Sequence, residues 1–172
     1  MRRMFIALAA VFGTAALAVP VALADSPHFI SAGTASINDA GAYVVTNFKE
    51  AGLGNTAATE QITLKITSAT ATYACINGGG NHPKATNKQS VTTPITQTQS
   101  FPVRNGQTTG TLSAGPPPAG PFQPPCDPPQ TVVLAFVSYS GVSLIGLAGD
   151  SVAEPDLSRC LVTGSLAASL CP

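Results

Sequence analysis

From Phe29 onward the chain is dominated by a period-two alternation of apolar and polar residues rich in Thr, Val and Ile, and no stretch carries an apolar stripe at helical spacing. Phe29 to Ile37 and Ala42 to Lys49 predict two strands around the turn-like Asn38-Asp39-Ala40-Gly41. From Gln61 to Thr67 the alternation is clean, with Ile62, Leu64 and Ile66 on one face. Parity then changes, and Ala69, Ala71, Tyr73 and Cys75 form the next apolar set. A one-residue bulge near Ser68 keeps both sets on the core side. Thr131 to Tyr139 is apolar on both faces and predicts a central strand. Ser140-Gly141 marks a turn or bulge before Val142 to Leu147, and the tail after Glu154 has little strand signal.

Asn105-Gly106 predicts a tight hairpin, because both residues tolerate the positive φ that a type I′ turn demands. Its register pairs Val103 with Thr108, Phe101 with Gly110 and Gln99 with Leu112, laying the Phe101 ring beside a glycine. Residues 115–129 hold eight prolines and are excluded from a sheet interior, so they read as an extended surface crossover pinned by Cys126. Seven to nine short strands with regular turns predict an all-β fold, an immunoglobulin-like β-sandwich. A β-barrel or jelly roll is the alternative.

The amino terminus departs from this pattern. Arg2 and Arg3 precede an uncharged apolar run from Met4 to Val19, Pro20 breaks it, and Ala22-Leu23-Ala24 supplies small residues at −3 and −1. Residues 1–24 therefore read as a secretory signal peptide cleaved before Asp25, followed by a β-domain at 25–153 and a tail at 154–172. No Cys follows the cleavage site, no tail of spanning length is present, and no N-x-S/T sequon occurs. The expected location is outside the cell, with no membrane span once the signal is removed.

Loss of Arg2 and Arg3 leaves six bases and eight acids, a net charge near −2. That balance argues against a nucleic-acid partner and against electrostatic docking on an anionic membrane. Only 9% of residues are charged, so solubility rests on Thr, Ser, Asn and Gln, and the absence of Trp removes Trp-platform sugar binding. Cys75, Cys126, Cys160 and Cys171 all lie in the mature region. Four cysteines allow three connectivities, of which Cys75–Cys126 with Cys160–Cys171 is favoured. With no C-x-x-C pair, a zinc site is the weaker reading, and no metal or cofactor is expected.

Candidate chemistry is sparse. Gly52-Leu53-Gly54-Asn55-Thr56-Ala57 matches G-x-G-x-x-A, but a strand pattern follows where a dinucleotide site needs a helix, so it reads as a loop. The segment Asn77, Gly78, Gly79, Gly80, Asn81, His82, Pro83 and Lys84 is the candidate binding loop. Its glycines free backbone N–H groups for an anion nest, and His82 and Lys84 add charge; a plain connector is the competing reading. No G-x-S-x-G or H-E-x-x-H motif occurs, and no catalytic residue is assigned. Glu50 and Glu60 form a conceivable carboxylate pair whose spacing fixes no geometry. Asp150, Glu154 and Asp156 read as a solvated acidic turn rather than a Ca²⁺ loop.

Three segments carry a family resemblance: Phe48 to Gly54 (FKEAGLG), Cys75 to Lys84 with Asn87-Lys88, and Cys126 to Gln130 running into a Val/Leu strand. Together they resemble a group of small exported actinobacterial proteins of unknown function, across roughly residues 28–150. The resemblance implies export and a Cys75–Cys126 bridge, and it supplies no reaction or ligand. The expected function is a secreted, non-catalytic β-sandwich module acting at the cell surface or in the medium, with a cell-wall glycan or surface protein as partner. The alternative is a small extracellular hydrolase centred on His82.

Overall fold

The computed structural model describes residues 26–54, 57–77, 88–121 and 126–172. The signal-peptide reading and most of the candidate loop, residues 78–84, lie outside the described residues.

Alternation of small β-branched residues with polar ones builds two open antiparallel sheets. The smaller is centred on β3 (Tyr43–Ala51), with β6 (Gln107–Ala114) along one edge. Its other edge is shared by β1 (His28–Ser31) and β2 (Thr34–Ile37). The larger runs in the order β5 (Lys88–Pro102), β4 (Thr59–Ile76), β7 (Thr131–Ile145), and its far edge is shared by β8 (Ser151–Glu154) and β9 (Leu157–Cys160). The fold is thus an all-β sandwich with two disulfides, and neither sheet closes into a barrel.

The inward faces meet through Tyr43, Val45 and Phe48 on one side and Ile62, Leu64, Ile66, Val137, Tyr139 and Leu144 on the other. Tyr43 and Tyr139 pack edge to face at 5.5 Å. Each of these buried phenols donates to a backbone carbonyl, Tyr43 to Pro155 at 2.7 Å and Tyr139 to Gly41 at 2.5 Å. The core thus holds two polar ends that are both satisfied, as burial requires.

The bulge near Ser68 is present. Between Ile66 and Ala69, β4 advances three residues while β5 advances two, from Ile95 to Thr93, and both apolar sets face inward, all buried but the half-buried Tyr73. The strand expected over Phe29–Ile37 is one edge line broken in two. Gly33 takes φ 92° there, and a side chain on it would collide with the backbone of Thr46 and Phe48. Ser140-Gly141 is a kink inside one continuous strand, since the β4 partners run on from Ser140 to Val142 without a shift. Three of the strands run to 15 residues or more, longer than the short strands expected.

The Asn105-Gly106 turn forms with φ of 51° and 69°, but its hairpin ends after the Arg104–Gln107 pair. The predicted register beyond it does not occur. Val103 donates instead to the Ala58 carbonyl, β5 pairs with β4, and β6 pairs with β3. The turn is therefore a corner from one sheet to the other. The side-chain part of the expectation survives, because the Phe101 ring occupies the space above Gly110. The tail is not strand-free either. Leu157–Cys160 continues the edge begun by β8, and a short helix α1 (Ser165–Leu170) follows.

Candidate functional site

The two ends of the sandwich are held by different chemistry. At one end β4 finishes in Cys75 and Ile76, Asn77 follows, and β7 begins opposite, with Cys75 facing Val132 in register. Cys75 bonds Cys126 with a Cα–Cα distance of 5.5 Å, so the proline-rich crossover from β6 is fastened where it enters β7. Tyr73 adds a second tie by donating to the Pro117 carbonyl at 2.6 Å. Cys160–Cys171, with Cα atoms 5.8 Å apart, folds the tail back over the same end. Leu170 then packs on Ala74 and Ala135, and the Lys88 ammonium donates to the Ser169 carbonyl. Of the candidate binding loop only Asn77 is described, and it is exposed at the base. Gly78, Gly79, Gly80, Asn81, His82 and Lys84 lie outside the described residues.

The opposite end carries carboxyl groups. Glu50 shares its face of β3 with Phe48, and Glu60 shares its face of β4 with Ile62, so alternation turns both acids inward. Glu50 is 0% exposed and neither of its oxygens has a protein donor. The turn after β7 brings Asp150 beside it, and both Asp150 oxygens are also buried without a donor. Gly146 makes room for the pair. A Cβ there would lie 2.5 Å from both Glu50 Oε1 and Asp150 Oδ1. Glu60 is anchored differently, accepting the Leu147 backbone N–H at 2.8 Å. Burial first, then the charges of Asp150 and Glu60, push the Glu50 carboxyl up to about 8.

This cluster supplies the geometry of one pair that spacing left open and corrects one expectation. Glu50 and Glu60 do come to the same end, yet both sit inside the sandwich, out of reach of a sugar polymer. Asp150, Glu154 and Asp156 are not one solvated turn. Asp150 faces Glu50, while Glu154 is 7% exposed and pushed up to about 7 by burial. Asp156 accepts the Gly141 N–H at 2.9 Å. Among the described residues no group of three His, Cys, Asp or Glu side chains is arranged to hold a metal ion.

The outer surface offers open features. Thr and Ser hydroxyls pair across β4 and β5 on the outward face, Thr63 with Thr98 and Thr70 with Thr92 at 2.9 Å, and Thr72 with Ser90 at 2.8 Å. Lys49 and Arg104 line a groove of about 310 Å³ beside the Asn105-Gly106 corner. On the flank, Arg159 donates to the Ile37 carbonyl and to Asp39 at 2.6 Å, tying β9 to the turn after β2 across the gap between sheets. No helix among the described residues is long and apolar enough to cross a membrane. No protein-family model, curated protein or solved structure matches the chain.

Proposed function

We propose that the protein is exported and works as a non-catalytic binding module at the cell surface or in the medium, built on an immunoglobulin-like sandwich. The observation that carries this reading is the Cys75–Cys126 bridge. It fastens the base of the 77–84 loop and the proline-rich crossover to one end of a closely packed scaffold. Loops braced on a rigid frame are where sandwich domains present their recognition residues.

Strand order supports the immunoglobulin comparison in part. With the broken edges counted as single lines, the first, second and fifth lines face a sheet of fourth, third, sixth and seventh. Constant-type domains place the fourth beside the fifth, and their bridge joins the two sheets. Here the fourth lies beside the third, and Cys75–Cys126 ties the third to the crossover that leads into the sixth, its neighbour in the same sheet. The two disulfides fit a non-reducing compartment, in keeping with export.

The charge-poor surface and its hydroxyl pairs favour an uncharged, hydroxyl-bearing polymer of the cell-wall glycan kind as ligand. A pull-down of the mature protein on insoluble cell-wall glycan tests this, with soluble protein in the supernatant as the opposing result. His82→Ala is expected to leave both retention on the glycan and the thermal midpoint nearly unchanged, as a plain connector would. Loss of a substrate turnover on His82→Ala, with the fold retained, would replace the module by the hydrolase.

A further inference from the structure

We propose that Glu50 and Asp150 form a proton-shared carboxyl latch, joining the two sheets at the end of the sandwich that has no disulfide. It is closed while Glu50 is protonated and released when Glu50 ionises.

The geometry leaves little choice. Glu50 belongs to β3 in the smaller sheet, and Asp150 to the turn between β7 and β8 in the larger. Their oxygens converge above Gly146, and all four are buried without a protein donor. Two ionised carboxylates in one buried space repel each other and forfeit their hydration, so one proton is retained between them. The protonated Glu50 then donates to Asp150, and the bridge spans the sheets.

Among the described residues the surroundings supply no opposing charge. From β4 the facing group is Glu60, a third carboxyl, and from β6 Thr108 stands opposite Glu50 but spends its hydroxyl on the Pro102 carbonyl. From β1 the partner is Phe29, while His28, one position away, is exposed and bonded to the Ser26 carbonyl. From β8, Glu154 is the remaining buried acid, at the far end of its strand from Asp150. Lys49 is adjacent in sequence, but alternation points it outward, to the groove it lines with Arg104.

The sign of the effect follows. Unfolded, Glu50 titrates near the ordinary value of about 4.3. Folded, it holds its proton up to about 8. Across that window the native state binds a proton that the unfolded chain has released, so stability is highest below it and falls as pH rises through it. Glu154 behaves alike about one unit lower, with its midpoint near 7. The fall from pH 7 to 9 is therefore carried mainly by Glu50, with a smaller share from Glu154 near its lower end.

The test uses the mature, disulfide-bonded protein. Its thermal midpoint is expected to fall between pH 7 and 9. Glu50→Gln, which keeps a donor without the charge, is expected to remove most of that fall, while Glu154→Gln leaves most of it in place. Carbon-13 NMR of the wild-type Glu50 carboxyl should show a titration several units above the ordinary Glu range, a readout that survives if the variant does not fold. A Glu50 titration between pH 4 and 5, or an undiminished pH 7–9 slope in Glu50→Gln, overturns the latch. Added Ca²⁺ that raises the midpoint at pH 8 in wild type but not in Glu50→Gln overturns it too, making the cluster a cation site.

Discussion

Replacing Cys75 and Cys126 together by alanine is expected to lower unfolding stability by about 2–5 kcal/mol, the range for native bridges in small exported domains. The bridge spans 51 residues of sequence, including β5, β6 and most of the crossover, so its loss frees a long loop in the unfolded chain. It also frees the entry to β7, which is bonded on both edges. Urea unfolding of the wild type and double variant gives the difference directly. Cys160→Ala with Cys171→Ala should cost less, because that bridge spans only 11 residues and secures α1 at the chain end. If the tail pair costs more, stability is concentrated in the lid formed by Leu170 over Ala74 and Ala135, and the account of the crossover fails. Peptide mapping without reduction should recover Cys75 with Cys126 and Cys160 with Cys171.

Alternation made the strands legible, and parity made the Ser68 bulge legible, because a set of core positions that shifts by one must be matched by an extra residue. Partner choice was hidden. The Asn105-Gly106 turn fixes two residues of backbone, yet whether the strands beyond it pair depends on what else competes for their edges. Here β3 takes β6 along eight pairs and β4 takes β5 along fourteen. Leu157–Cys160 was hidden for a related reason. Four residues with an exposed Ser carry little pattern of their own, and it is the free edge of β7 that recruits them.

The carboxyl cluster was half visible. Glu50 and Glu60 stand at core parity, two residues from Phe48 and Ile62, and that alternation alone marks each as a buried acid. Glu154 stands two residues from Val152 in the same way. Asp150 could not be placed, because its position depends on how a five-residue turn folds back over Gly146. A solvated turn is what the charge of these acids suggests, and parity outweighs charge here. The candidate loop from Asn77 to Lys84 is the reverse case, conspicuous in composition and silent in periodicity.

Phe48→Ala is expected to cost about 3–5 kcal/mol, since it removes a fully buried ring from between the sheets. Phe48 follows Asn47, whose φ of 58° marks the bulge that shifts the β3–β6 register between Thr46 and Phe48. The ring meets Phe101 edge to face at 5.0 Å, and Phe101 in turn lies over Gly110. This stack joins β3 and β6 of one sheet to β5 of the other, near the end that lacks a disulfide. Gly110→Ala attacks the stack from below, because its methyl enters space the Phe101 ring already fills. Overpacking of that kind costs about 1–3 kcal/mol. Both substitutions should lower the urea midpoint with little change in the dependence on urea concentration, which reports the surface exposed on unfolding. Phe48→Leu should lose less than Phe48→Ala, because it refills most of the space and forfeits chiefly the ring pair, worth about 0.5–1.5 kcal/mol. A Phe48→Ala loss below about 1 kcal/mol would mean that the sheets are not joined through this stack. The Glu50 bridge, on the same face of β3, would then be left to hold that end alone.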